Sequence, residues 1–352
     1  MDRPVRIGII GTGGISNEHV RCYKQIPEVE IVAVADIMPG RAEEAAKRWE
    51  APRFYTSHKQ LLAKEDLDGV SVCTPNKHHR QPSIDALRAG VHVMVEKPLA
   101  YSANEGLDMI KAARETGKML TVGIQSRYGP DLQLARRVVE SGQLGDIYYA
   151  ETVGTRRRGI PGGSFIRKET AGGGAVVDIG VYSLDSALYV MGHPEPVAVS
   201  AVTQDIIGKT SKPIPGSWHW DPEKMEVEEF GAAWIRFKND AVLMFKISWA
   251  VHLKEMGKTF FLGTQAGLSM GPLEVFRDEW GALSNTTFDS LPRVDAFLEK
   301  VRAFVKAIQT GGPTPIPAEQ LYLTNVIMDG IYQSAQKGGR EVALKSRLDE
   351  LA

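Results

Sequence analysis

Cysteine is scarce in this chain: two residues, Cys22 and Cys73, in a length of 352, far apart and with no CxxC spacing. That rules out a disulfide framework and a thiolate-rich metal centre. Cys73 also lies in an apolar run, so both thiols read as reduced and structural, as in a cytoplasmic enzyme. The eight histidines form no HxxxH pair and no Cys/His cluster of ligand spacing, which leaves no expected metal site. Neither charge predominates: 42 Lys and Arg against 43 Asp and Glu give a net −1, without the basic footprint that nucleic acid requires. No apolar stretch reaches the ~18 residues of a membrane span, and no leader peptide is read at the start. Internal repeats and long low-complexity linkers are missing as well. With 43% hydrophobic residues, the length fits about two domains, each with a substantial core.

What the chain does have is a glycine turn at the end of its first apolar run. Residues 5–10 read as a strand buried on both faces. They run into Gly11-Thr12-Gly13-Gly14-Ile15-Ser16 and a helix that extends to Ile26. Glycine there lets the chain turn tightly and brings backbone N–H groups up to a pyrophosphate, which the helix start also favours. Ser16 stands where Gly or Ala is usual and allows less close helix–strand contact. Alone, a GxG turn is weak evidence. A second run, residues 31–35, ends on Asp36, about 20 residues beyond the turn, where an acidic side chain accepts hydrogen bonds from an adenine ribose. The plainer reading of Asp36 is a solvated strand end. In the ribose role it favours NAD, because a 2′-phosphate would meet its carboxylate; Arg41, close by in sequence, keeps NADP open.

Three more strand–helix units follow. Val70-Ser71-Val72-Cys73 leads into Thr74-Pro75-Asn76 and a helix over 77–89. Residues 91–95 form an apolar strand that stops on Glu96-Lys97-Pro98, and the next helix opens with a capping box, Ser102 and Glu105. Met119-Leu120-Thr121-Val122-Gly123 closes the series. Strands alternating with helices predict an α/β fold with a parallel, doubly wound Rossmann sheet over residues 1–123. In such sheets ligands sit beyond the carboxyl ends of the strands, so Lys97 is expected to face bound cofactor.

At this point the sequence resembles the Gfo/Idh/MocA oxidoreductases, the family of glucose–fructose oxidoreductase and inositol dehydrogenase. The resemblance rests on Gly11-Thr12-Gly13-Gly14, on Thr74-Pro75-Asn76 with His79, on Glu96-Lys97-Pro98, and on Gly172-Gly173-Gly174-Ala175-Val176-Val177-Asp178-Ile179-Gly180-Val181-Tyr182-Ser183-Leu184-Asp185. It implies a C-terminal α+β domain over 124–352, whose open sheet forms a homodimer or homotetramer interface. It implies NAD or NADP, and a small carbohydrate or polyol as substrate. The cofactor contacts it implies are Gly11, Thr12, Gly13, Gly14, Ile15, Asp36, Thr74, Pro75, Asn76, His79, Glu96, Lys97 and Gln125. It also implies a cis bond between Lys97 and Pro98.

Beyond Gly123 the pattern changes. Gln125-Ser126-Arg127-Tyr128-Gly129-Pro130 is a turn-rich junction, with a helix over 131–140 after it. Strands are expected at 147–153, 197–202, 230–237, 241–250 and 259–263, with Lys238-Asn239-Asp240 as a hairpin turn. That makes an open, largely antiparallel sheet. Residues 291–309 and 317–337 read as closing helices. After the glycines 172–174, Asp178, Tyr182 and Asp185 fall at i, i+4 and i+7, on one face of a helix. By the residues alone, Asp178 equally suits a helix N-terminus, and Tyr182 a core aromatic. The resemblance instead sets Asp178 and Tyr182 at the nicotinamide, opposite Lys97. Most members carry histidine where this chain has Tyr182, although some branches, including sugar-oxidising ones, have tyrosine. Tyrosine's reference pKa of ~10 means that it needs a neighbouring cation to act as a base.

The expected reaction moves a hydride between a secondary alcohol of a sugar, inositol or related cyclic polyol and nicotinamide. Lys97 would hydrogen-bond the reacting oxygen, Tyr182 would take the proton, and Asp178 would orient Lys97 or bind a hydroxyl. His252 is the reserve base. Arg127 joins Lys97, Asp178 and Tyr182 among the substrate contacts. Arg156-Arg157-Arg158 reads as solvated or paired on a strand, or as supplying one arginine to the substrate. Loops at 157–168 and 207–223 are expected to choose the sugar. Two alternatives use the same residues: an NAD-dependent glycoside hydrolase acting by transient C3 oxidation, and a redox-inert NAD-binding regulator.

Overall fold

The structure is a computed structural model and describes residues 3–351. The first 123 residues alternate strand and helix: β1 (Val5–Ile10), α1 (Gly14–Tyr23), β2 (Val29–Ala35), α2 (Arg41–Trp49), β3 (Arg53–Tyr55), α3 (His58–Lys64), β4 (Gly69–Val72), α4 (Arg80–Arg88), β5 (His92–Glu96), α5 (Ala103–Thr116) and β6 (Leu120–Gly123). The strands form one parallel sheet in the order β3-β2-β1-β4-β5-β6. The order reverses between β1 and β4, the switch point at which such sheets bind ligands. Pairing of Ile10 with Ala35 and Val72, of Val72 with Val95, and of Glu96 with Gly123 puts all these strand ends on one edge. Each strand is short and apolar because helices cover both faces. The Ser102 half of the capping box is present, with its Oγ accepting from the Glu105 N–H.

The chain then builds a second unit from α6 (Pro130–Glu140), β7 (Ile147–Thr155), α7 (Lys168–Ala171), α8 (Ala175–Asp178), α9 (Gly180–Met191), β8 (Pro196–Gln204), α10 (Ile206–Thr210), β9 (Phe230–Phe237), β10 (Val242–Ser248), β11 (Phe260–Gly263), β12 (Ala266–Ser269), β13 (Glu274–Glu279) and β14 (Ala282–Thr287). Its nine-stranded sheet, completed by β15 (Val342–Ala343), runs β14-β13-β12-β11-β7-β10-β9-β8-β15. All neighbours are antiparallel except β7 and β10. One face is buried, through Ala150, Thr152, Ala233, Ile235, Leu243, Phe245 and Ile247, and receives α9: Gly180 lies against Phe245, and Thr152 Oγ1 donates to the Ser183 carbonyl. The other face keeps Tyr149, Trp234, Met244 and Phe260 half-exposed, as expected of an open sheet. Beyond the expected strands, the structure adds β12, β13, β14 and β15.

Two differences from the sequence reading bear on the site. The helix expected to carry Asp178, Tyr182 and Asp185 on one face is broken at Ile179, where the axis bends by 45°. Asp178 therefore ends α8, Tyr182 lies half-buried in α9, and Asp185 is fully buried. Secondly, the boundary drawn at 123 omits a return. The first unit runs to Tyr128 and also takes Asp295–Tyr322, including α11 (Ala296–Thr310), before α12 (Ala318–Gln336) continues into the second. Val301, Phe304 and Ile308 of α11 join Ile7, Ile9, Val20 and Tyr23 in one core. Among the described residues, no single helix is long and apolar enough to cross a membrane.

Candidate active site

The nucleotide half is built on strand ends. Gly11 has φ of +90°, and a Cβ there would stand 2.7 Å from the Cys73 carbonyl oxygen, so only glycine serves. Gly13 and Gly14 differ: a Cβ on either meets no atom within 4 Å. This is open space at the amino end of α1, where backbone N–H groups have no helical acceptor. Asp36 braces the turn. Its Oδ2 accepts from the Thr12 N–H at 2.9 Å and the Thr12 hydroxyl at 2.8 Å, and its Oδ1 from the Met38 N–H at 2.9 Å. A carboxylate offers about four acceptor positions, so one remains for a ribose hydroxyl. Ser16 is wholly buried and donates to the Gly13 carbonyl. The open cradle and the acidic residue at the end of β2 fit NAD. Ile15 is half-buried on α1, and Gln125 is half-buried just past β6.

Lys97 follows the last residue of β5 and is half-buried, and its bond to Pro98 is cis. The residues on either side of it are held from within the unit. His79, buried, places Nδ1 2.8 Å from the Pro98 carbonyl and Nε2 3.0 Å from the Thr74 carbonyl, tying two strand-end turns together. Burial lowers its readiness to take a proton, and the two carbonyls oppose that. Thr74 is half-buried, Pro75 exposed and Asn76 half-buried on the same turn. Glu96, expected among the cofactor contacts, turns its side chain inward to His19 and Lys300. Arg127, expected as a substrate contact, is buried and hydrogen-bonds Gln320.

In the second unit Asp178 is held by two side chains, Trp249 and Arg156. The buried Trp249 donates its indole N–H to Asp178 Oδ2 at 3.1 Å, and Arg156 Nη1 stands 3.7 Å from the same oxygen. The Arg156 guanidinium lies over the Trp218 ring, 4.7 Å from its centroid. Of the three arginines, Arg157 is exposed, and Arg158 bonds the Val251 carbonyl and stands beside His252. His252 is exposed and beyond the end of β10, not in a strand. The glycine run has a specific acceptor. Glu228 receives the Gly174 N–H at 3.0 Å and the Val176 N–H at 3.1 Å on its carboxylate, and the Ala175 N–H on its carbonyl. A Cβ on Gly173 would collide with the Tyr332 hydroxyl, and one on Gly174 with the Glu228 carbonyl. Among the described residues, no group of three His, Cys, Asp or Glu side chains is placed to hold a metal.

Residues 5–124 match the model of an oxidoreductase family with an NAD-binding Rossmann fold, and residues 132–269 match the GFO/IDH/MocA C-terminal domain. The chain belongs to the Gfo/Idh/MocA oxidoreductase family. As a member of that family it is an NAD-binding oxidoreductase. It is 34% identical to the D-glucoside 3-dehydrogenase of Escherichia coli (strain K12), over 96% of this chain and 97% of that one. It is 30% identical to the scyllo-inositol 2-dehydrogenase (NAD(+)) of Bacillus subtilis (strain 168), over 54% and 55% of the two chains. A levoglucosan dehydrogenase solved in complex with NADH shares the fold, with a TM-score of 0.83, 24% identity, and coverage of 98% of this chain and 100% of that one.

Proposed function

We propose that this family member oxidises a ring secondary alcohol of a pyranoside, at C3 of a D-glucoside, with NAD as acceptor. The observation that carries the proposal is the 34% identity to a D-glucoside 3-dehydrogenase, extending over 96% of the chain and so over both units. The wider class is a sugar, inositol or related cyclic polyol. NAD, when bound, takes the hydride; the residues of the chain must hold the alcohol and receive its proton. In this reading Lys97 hydrogen-bonds the reacting oxygen and stabilises its developing negative charge. Tyr182 receives the proton. Asp178, held by Trp249 and Arg156, binds a neighbouring hydroxyl. Arg156 is a further sugar contact, and Trp218 beside it offers a ring face to the sugar. Asp36 selects NAD over NADP by opposing a 2′-phosphate.

The test is a panel of methyl glucosides, free aldoses, anhydrosugars and inositols with NAD and NADP, read by absorbance of the reduced cofactor. Reduced NAD accumulating with a 3-keto glucoside supports the reading, and turnover of inositols alone refutes the glucoside assignment. Release of aglycone without net reduced cofactor would instead mark the hydrolase, which the relatives named as dehydrogenases do not favour.

The half-exposed sheet face with Tyr149, Trp234, Met244 and Phe260 is proposed as the contact between copies of the chain. Trp234→Glu should then yield monomers in light scattering. The two free, buried cysteines suit the reducing cytoplasm.

A further inference from the structure

Behind Lys97 lies a set of polar side chains that no step of the reaction uses. Glu96 is 4% exposed, Lys300 2%, Tyr23 1%, and His19 and Ser71 are wholly buried. Lys300 Nζ donates to Glu96 Oε1 at 2.7 Å and to the Gly123 carbonyl at 3.3 Å. His19 Nε2 stands 2.8 Å from the same Glu96 oxygen, and its Nδ1 3.0 Å from Ser71 Oγ, which is 2.8 Å from the Tyr23 hydroxyl.

A carboxylate only accepts, so the His19 nitrogen 2.8 Å from Glu96 carries a proton and gives it to that oxygen, while burial keeps the ring neutral; the same nitrogen makes no bond to the Lys300 ammonium 3.4 Å away. Nδ1 then accepts from Ser71, and Ser71 accepts from Tyr23. The cluster thus holds one negative charge, one positive charge and a neutral imidazole. It joins α1, β4, β5, the end of β6 and α11. It also explains Gly123, where a Cβ would stand 2.7 Å from Glu96 Oε1 and 3.3 Å from Lys300 Nζ.

A buried ion pair loses in desolvation about as much as it gains in attraction, so net stability is a weak reason for one. What this pair supplies is geometry. Glu96 is the last residue of β5, and Lys97 is joined directly to it in the chain. Fixing Glu96 inward therefore fixes the backbone from which the Lys97 ammonium leaves. We propose that Glu96 and Lys300 are positioning residues for Lys97, so that α11, from late in the chain, sets the geometry of the reactive lysine. This rests on the reading of Lys97 as the group that meets the reacting oxygen.

The experiment uses the full chain with NAD and the glucoside substrate, and compares K300M, E96Q/K300M and K97A. In K300M the Glu96 charge has only His19 as a partner. Of the other groups facing the cluster, burial pushes the Cys22 thiol up to about 11 and holds Cys73 and Tyr23 well above their ordinary values, burial lowers His79, and Glu18 adds a negative charge that favours a protonated His19. K300M should therefore lower kcat by about 10- to 100-fold, the scale of a misplaced reacting group. Its kcat should also acquire a titration between about pH 6 and 8, and nitrogen-15 spectra should show the His19 ring become an imidazolium there. NAD affinity should stay close to that of the unaltered protein. E96Q/K300M removes both charges with near-isosteric side chains; it should recover the melting temperature and keep the kcat defect.

Full kcat in either variant overturns the proposal. So does failure of the double variant to fold, which would make the pair a stability element. K97A separates the two ideas. Turnover surviving K97A refutes the role of Lys97, whereas a dead K97A beside a fully active double variant refutes only the positioning pair.

Discussion

The Tyr332 hydroxyl donates to Glu228 Oε1 at 2.8 Å, although 104 residues separate them in the chain. That bond holds the carboxylate which receives the first N–H groups of α8, the helix that ends on Asp178. Glu228→Ala leaves those N–H groups buried without an acceptor and should destabilise the protein by about 2–3 kcal/mol. Tyr332→Phe should cost about 1 kcal/mol. Urea denaturation measures both. Equal, negligible losses would mean that the glycine run needs no such acceptor.

Gly11 and Gly13 should respond in opposite ways. Gly11→Ala meets the Cys73 carbonyl and a φ of +90°, a strain of about 1–3 kcal/mol that distorts the turn. NAD binding should fall below detection in calorimetry. Gly13→Ala has open space around it and should fold with a near-normal melting temperature. An alanine tolerated at position 11 with full NAD affinity would contradict this account of the turn.

Much of the first unit was legible because doubly buried strands are written as apolar runs: β1, β2, β4, β5 and β6 all stand out. The strand β3 does not, since Arg53-Phe54-Tyr55 is an exposed edge. Nor do β13 and β14, whose residues 274–279 and 282–287 carry polar side chains on a half-exposed sheet. The glycine run after position 171 was recognisable, but not its acceptor, because Glu228 is a lone carboxylate in no spacing pattern. The break at Ile179 was hidden by a helical periodicity that continues through it. The burial of Arg127 against Gln320 is not readable from its place after the last strand of the sheet, because α12, far away in sequence, decides it. The return of α11 is likewise a tertiary event with no local signature.

Stability should fall with acid in two stages. Burial, helped by the Lys300 charge, holds His19 below the ordinary histidine range, and burial does the same to His79. Their unfolded forms bind protons below about pH 6.5 that the folded forms refuse. Each should therefore cost up to ~1.4 kcal/mol per pH unit as pH falls through that window. Burial alone would raise Glu96, but Lys300 and His19 outweigh it and hold the carboxyl well below its usual range. Its contribution is present above about pH 4.3 and is lost only on further acidification. Melting curves of His19→Gln should flatten the upper window alone; an unchanged slope between about pH 5 and 6.5 would refute the assignment.

Arg156→Ala removes the cation beside Asp178 and uncovers Trp218. KM for the sugar should rise by about tenfold, the scale of one lost charge-assisted hydrogen bond, with NAD affinity unchanged. A loss confined to NAD binding would place Arg156 on the cofactor side.

The most direct measurement is turnover and NAD affinity of Lys97→Ala, compared in one preparation. Turnover should disappear while the NAD dissociation constant stays within a few-fold of the original, because the cradle at Gly11–Gly14 and Asp36 is untouched. Substantial turnover without the Lys97 ammonium would contradict the account.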